Sequence, residues 1–412
     1  MHQQGLFLSL LTRTAAPPCA TNVQTIRLKK NEERRLLAGH SWIFSNEIHG
    51  SLQGLDPGQL VRVVSWSGRF LGVGPINPRS LITIRLLSRR DVDIDARFYL
   101  KRLVAADERR KRLYPGSTTY RLAFAEADFL PGLIVDRYDR HLVVQILTQG
   151  MAKVEEQLLH IMSETFRPAS ITLRSDSPAR TLEGLPLERG LAWGSLPDEL
   201  VMEMDGLRFK VALLEGQKTG FYLDQRENRP LLRGMVQDKR VLDGCCYEGA
   251  WGLYAARFGA REVVGVDTSE TALRRAHTNA RANGLASLCR FEQQDIFDFL
   301  NSAEDQFDVI VLDPPAFIKS RTKVKEGERG YLDLNRKAMN RLHSGGILVS
   351  CSCSHHLDRP RFEKVLSQAA RLANKQIRLL EVRGQARDHP VLLAMPETAY
   401  LKCFFLEVLE LE

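Results

Sequence analysis

The sequence predicts an α/β protein of several domains, in which a β-rich amino-terminal part and a middle α+β part precede a doubly wound sheet. Three observations carry that expectation. The chain has 412 residues, too many for one ordinary core. Residues 23–95 alternate short apolar runs with Gly and Pro, the spacing of a small all-β domain. From residue 205 onward strand-like apolar runs alternate with helical stretches, the pattern of a parallel sheet covered by helices on both faces.

Composition narrows the function classes. A formal net charge of +8 favours a polyanionic partner such as nucleic acid over an acidic small molecule. Four of the seven cysteines form the close pairs Cys245/Cys246 and Cys351/Cys353, which is not a disulfide framework, so a reducing cytoplasm is expected. The start, MHQQGLFLSLLTRTAAPPCATN, holds an apolar run with no basic residue before it and too few residues to span a bilayer. Residues 1–22 are therefore expected to be a disordered or over-long amino terminus, and no membrane partner is expected.

In the β-rich part, 23–95, the runs WIFSNEI, QLVRVVS, RFLGVGPINP and LITIRLLS are separated by turn residues. Its entry gathers Lys29, Lys30, Arg34 and Arg35 near Trp42. Basic residues around an aromatic suit a phosphate backbone and a stacked base, and these five are the candidate RNA contacts. A solvated edge with a buried Trp fits the same residues.

The middle part, 96–204, opens with RFYLKRLVAADERRKRLY, whose period is helical and whose outer face is basic. RLAFAEADFLPGLIVDRYDRHLVVQIL then reads as hairpins turned at Pro131-Gly132 and Tyr138-Asp139, and a second helix is expected over 153–165.

Seven strands are expected in the last part, 205–412: 239–243, 262–267, 289–295, 307–313, 345–352, 377–382 and 401–408. The first runs into DGCCYEGAWGLYAARFGA, a turn bearing Gly244, Gly249 and Gly252 that opens a helix. Glycines let a backbone approach a ligand, and a helix amino terminus favours an anion. The first three strands end in Asp243, Asp267 and Asp295, and Phe297 follows the last. Acidic residues at successive strand ends define a nucleoside site, with Asp267 placed to accept both ribose hydroxyls. Each Asp singly also reads as a helix cap. The dinucleotide fingerprint GxGxxG is absent, and the spacing resembles the class I S-adenosylmethionine methyltransferase fold, which is Rossmann-like.

The fourth strand runs into VLDPPAFIKS, where Asp313 and the rigid Pro314-Pro315 edge can face a planar base. Taken alone, this also fits methylation of a nitrogen. The fifth ends in SCSCSHH, beside the fourth. Cytosine C5 is a poor nucleophile, and a thiolate adding to C6 activates it. Two other readings of the thiols stand beside that one, inert packing and zinc ligation with His355 and His356, although the usual Cys-x-x-Cys spacing is missing. No metal is expected.

At these residues the chain closely resembles the PUA-containing bacterial ribosomal RNA cytosine-C5 methyltransferases, the family of 23S rRNA large subunit methyltransferase I, over about Ile26 to Glu407. The segments that carry the resemblance are RLKKNEERRLLAGHSWIFSNEI, EADFLPGLIVDRY, EGQKTGFYLDQRENR, DPPAFIKS, SCSHHL and DHPVLLAMPETAYLK. The resemblance implies a PUA domain at 23–95, S-adenosylmethionine as cofactor, and 23S rRNA or a precursor of the large ribosomal subunit as partner, with a homodimer allowed. It aligns Cys353, rather than Cys351, with the catalytic nucleophile. Asp313 and Pro314 are implied to grip the cytosine and Asp295 to meet the adenine amine. Gly244 and Gly249 are implied to admit the methionine end, and Tyr222, Gln225 and Asn228 to neighbour the cofactor. The alternatives are a guanine N7 or N2 methyltransferase, suggested by DPPAF followed by Lys319 and Arg321, and a non-catalytic RNA-binding assembly factor.

Overall fold

The computed structural model describes residues 23–216, 219–302, 306–318 and 320–411. The expectation for residues 1–22 and the side chain of Lys319 lie outside the described residues. Contacts divide the chain into two compact units. The first holds the described residues up to Gly116 together with Arg121–Leu196; the second holds Ser117–Tyr120 and Pro197–Glu412.

In the first unit, strands Thr25–Arg27, Leu60–Val64 and Phe70–Pro75 form a three-stranded sheet, and Trp42–Phe44 pairs antiparallel with Ile82–Arg85. Alternation puts Val61 and Val63 inward, where they meet Ile26, Leu28, Leu36, Ile43 and Ile84 in one core. Residues beyond 95 add a five-stranded sheet and the helices Ala96–Leu113 and Glu155–Phe166. Buried polar contacts run between residues on either side of the expected 95/96 boundary. Glu183 accepts from Asn77 Nδ2 at 2.9 Å, Ser80 Oγ at 2.9 Å and Arg85 Nη2 at 3.2 Å.

The basic helix is not simply solvated. Arg110 is fully buried, and its Nη2 reaches Asp128 Oδ2 at 2.6 Å. A buried charge needs such a partner.

The second unit is built on a seven-stranded sheet: β1 (Arg240–Gly244), β2 (Glu262–Asp267), β3 (Cys289–Gln293), β4 (Phe307–Leu312), β5 (Leu342–Ser352), β6 (Lys375–Arg383) and β7 (Lys402–Glu410). The order is β3-β2-β1-β4-β5-β7-β6. Helices α1 (Ala250–Arg257), α2 (Glu270–Ala282), α3 (Ile296–Ser302), α4 (Val324–Asn340) and α5 (Arg359–Leu372) connect the strands. Central strands such as VLD and VIVL are covered on both faces, so they are apolar throughout rather than alternating. Leu242, Val264, Ile310, Leu348, Phe362 and Phe404 meet in the core.

One expectation needs correction. The sheet is mixed: β1 to β5 are parallel, but β7 runs antiparallel between β5 and β6. Period and composition of a strand buried on both faces carry no direction, which is why the reversal was hidden. The carboxyl ends of β1, β2, β4 and β5 nevertheless share one edge, and the chain switches sides between β1 and β4, where a cleft opens.

Candidate active site

A cleft of about 400 Å³ opens at that edge. It is walled by Cys245–Glu248 after β1, Asp267 at the end of β2, Asp295 to Phe297 before and in α3, Asp313 to Phe317 after β4, Cys353 after β5, and the segment Phe221 to Arg229.

The turn after β1 takes its shape from left-handed residues, with φ of 61° at Cys245, 51° at Tyr247 and 77° at Gly249. Its glycines answer to protein packing. A Cβ on Gly249 would stand 3.0 Å from the Phe291 ring, and one on Gly244 would stand 2.9 Å from Ile296. The cleft is lined instead by the backbone and side chains between them. Asp243 also sits behind the wall: it is fully buried, and Oδ2 accepts from Gly252 N–H at 2.8 Å, which fixes the start of α1. Burial pushes its carboxyl up to about 7. Thus Asp243, Gly244 and Gly249, expected at the cofactor, support the turn from the protein side.

Asp267 and Asp295 do line the cleft. Asp267 accepts from Tyr247 N–H at 2.8 Å and Ser269 N–H at 2.9 Å, so the carboxylate is held at both oxygens. Asp295 accepts from Phe297 N–H at 2.8 Å. The Phe297 ring forms one wall, 6.2 Å from that of Phe317. Opposite stand Tyr222 and Gln225; burial, first, and the nearby acidic groups push the Tyr222 phenol well above its ordinary value.

Asp313 is oriented from two sides. Its Oδ2 accepts from Gln225 Nε2 at 3.1 Å and from the Trp251 indole N–H at 3.1 Å. Asn228 Nδ2 in turn donates to Gln225 Oε1 at 2.6 Å, which sets the direction of that amide. Cys353 lies across from this carboxylate, half-buried, with Sγ 4.0 Å from Pro314 O. Cys351 points elsewhere: it is buried on the sheet, with Sγ 3.3 Å from Cys403 on β7. Strand alternation alone would put these two thiols, two residues apart, on one face; they part because β5 ends at Ser352 and Cys353 stands in the turn beyond it.

Two lining residues escaped the sequence reading. Trp251 is the indole donor to Asp313. Arg229 is 2% exposed and donates Nη2 to Tyr222 O at 2.8 Å, while Nε and Nη1 have no hydrogen-bond partner in the protein. A buried guanidinium with two idle donors is costly unless an anion meets it. Both residues lie within segments singled out by sequence, GFYLDQRENR and GAWGLY, but no spacing rule marks them.

Among the expected RNA contacts in the first unit, Lys29, Lys30 and Arg34 are exposed. Lys29 Nζ also reaches Asn46 O at 2.8 Å. Arg35 and Trp42 are half-buried and have partners within the protein. Arg35 is paired with Glu47 at 2.8 Å and lies over the Phe44 ring. The Trp42 indole donates to Glu126 at 2.9 Å and is covered by Arg85, so its ring serves internal structure. Among the described residues no group of three or more His, Cys, Asp or Glu is placed to hold a metal ion, and no helix is long and apolar enough to cross a membrane.

Comparison with known proteins agrees with this architecture. A family model described as a PUA-like domain matches residues 26–89, and one described as a methyltransferase domain matches residues 236–392. A putative methyltransferase, SMU.776, complexed with SAH superposes with a TM-score of 0.82 over 93% of this chain and 100% of that one, at 20% identity. The ribosomal RNA large subunit methyltransferase I of Shewanella denitrificans is 41% identical over 387 residues, 92% of this chain and 97% of the relative. That of Tolumonas auensis is 39% identical over 387 residues, 92% and 98% of the two chains. With identity of this order along nearly the whole of both sequences, the chain belongs to the ribosomal RNA large subunit methyltransferase I family.

Proposed function

We propose that this protein methylates C5 of a cytosine in large-subunit rRNA, with Cys353 as the nucleophile that adds to C6. The broader statement, S-adenosylmethionine-dependent methylation of ribosomal RNA, accords with its family. The observation that carries the finer one is the meeting of Cys353, Asp313 and Pro314 in the same cleft as Asp267, Asp295 and Phe297.

The residues fit the cofactor. Two idle donors of Arg229 suit a carboxylate, the buried and unpartnered Oε2 of Glu248 suits an ammonium, Asp267 suits ribose hydroxyls, and Asp295 with Phe297 suits an adenine. When bound, S-adenosylmethionine supplies an electrophilic methyl group. The protein's share is to make cytosine C5 nucleophilic. Asp313, fixed by Gln225 and Trp251, accepts from the cytosine amino group and holds the ring against the Pro314 edge. The Cys353 thiolate then bonds to C6, placing electron density on C5, and leaves again when the C5 proton is lost. A cytosine in this cleft must be extruded from any stack or taken from a single strand. Lys29, Lys30 and Arg34 supply phosphate affinity independent of sequence.

The test is methyl transfer from labelled S-adenosylmethionine to unmodified 23S rRNA, followed by nucleoside analysis, for wild type, Cys353→Ala and Cys351→Ala. We expect 5-methylcytosine from wild type and Cys351→Ala and none from Cys353→Ala. Methylated guanosine from all three proteins overturns the reading.

A further inference from the structure

Lys402 opens β7 and pairs across the sheet with Ser352, the last residue of β5. It is 8% exposed, a rare position for a lysine, so its ammonium must find acceptors. Nζ donates to Ser354 O at 2.7 Å and to Tyr400 O at 2.8 Å. The first of these carbonyls belongs to the residue that follows Cys353. Ser354 is gripped from the other side as well: its Oγ accepts from Ile318 N–H at 3.2 Å and lies 3.0 Å from the Tyr331 hydroxyl of α4. The turn bearing Cys353 is thus clamped between the loop after β4 and a cation on β7. An apolar side chain could fill the same space without the cost of burying an ammonium. What the ammonium adds is positive charge near a sulfur, and that matters only if the sulfur ionises.

We propose that Lys402 is a positioning residue that fixes the Ser352–Ser354 turn and holds positive charge toward Cys353, favouring the thiolate. This rests on the reading of Cys353 as the nucleophile. The thiol proton leaves to solvent, and the sulfur keeps the electron pair that later bonds to C6. Other titratable groups face the pair from every side: Asp313 after β4, Tyr331 from α4, Tyr222 before β1, His355 and His356 on the same turn, and Asp358 ahead of α5. Asp313 and Asp358 oppose a thiolate, and Lys402 offsets them. Burial holds the Lys402 ammonium down to about 8, so its charge fades as pH rises through that value.

The experiment uses the full chain and follows iodoacetamide alkylation of Cys353 by peptide mass spectrometry across pH, for wild type, Lys402→Met and Lys402→Arg. Lys402→Met is expected to raise the midpoint by about one pH unit, about ten-fold slower alkylation near neutrality. Lys402→Arg, which keeps its cation at every pH used, is expected to leave the midpoint at or below that of wild type. A Lys402→Met profile that superposes on wild type overturns the proposal, as does an equal shift in both variants. If Lys402→Met does not fold, Lys402→Gln takes its place with the same expectations. The nucleophile reading is judged separately, by whether Cys353→Ala still makes 5-methylcytosine; persistence of that product removes the catalytic meaning of an alkylation shift but leaves the shift itself measurable.

Discussion

Replacing Arg229 with Met is expected to move stability and cofactor affinity in opposite directions. In the protein without ligand, Nε and Nη1 are buried and idle, and each unmet donor costs about 1–3 kcal/mol. The substitution also removes the bond from Nη2 to Tyr222 O and the contact of the guanidinium with the Phe221 ring, 4.9 Å away, each worth about 1 kcal/mol. The balance favours Met by roughly 0–4 kcal/mol, so unfolding in urea should shift to higher concentration. Binding has the other sign. A hydrogen bond to a charged group contributes about 1.5–3 kcal/mol, so losing the anion partner should weaken S-adenosylmethionine about 10- to 150-fold. Isothermal titration with S-adenosylmethionine and with its decarboxylated analogue reads the effect: wild type should discriminate between the two and Arg229→Met should not. A variant that is less stable than wild type and binds both ligands as wild type does would refute the reasoning.

Four further perturbations follow from the structure. Because burial raises the Asp243 carboxyl to about 7, its contribution to stability is fully present below about pH 4 and is lost as pH rises through about 7. Asp243→Asn should therefore gain on wild type by an amount of order 4 kcal/mol at most between those limits, read from urea midpoints at about pH 5 and about pH 8. Gly249→Ala puts a Cβ at positive φ against Phe291 and should cost about 2–4 kcal/mol in thermal unfolding, more than the ~0.4–1 kcal/mol gained from a stiffer unfolded chain. Trp42→Phe should lower stability by about 1–2 kcal/mol, through loss of the bond to Glu126, and leave the salt dependence of RNA binding unchanged. Lys29→Ala with Lys30→Ala and Arg34→Ala should flatten that dependence in filter-binding titrations.

The parts of the site that were legible in sequence are those that depend on one rule, that a parallel sheet brings the carboxyl ends of its strands to one edge. Asp267, Asp295, Asp313 and Cys353 are all strand-end residues, and all four line the cleft. Asp243 obeys the same rule but is turned inward by Gly252 N–H, a contact nine residues away that strand spacing does not report. Arg229, Trp251 and Lys402 act through segments that fold back onto the sheet, so their positions depend on tertiary packing rather than on period. The bond of Trp42 to Glu126 was hidden for the same reason: the two are 84 residues apart, and an aromatic among basic residues reads alike whether it is offered to a base or satisfied at home.

The antiparallel insertion of β7 between β5 and β6 has a temporal consequence. The clamp on the Cys353 turn comes from Lys402, and the cleft also needs Arg229, Trp251 and Asp267. Contacts that span so much of the chain form late, because ordering each long loop costs entropy before any contact repays it. A partly folded chain can therefore bury apolar surface in β1 to β4 and still lack a supported turn at Cys353. Reactivity of the Cys353 thiol would then report the docking of β7, the last strand in the chain.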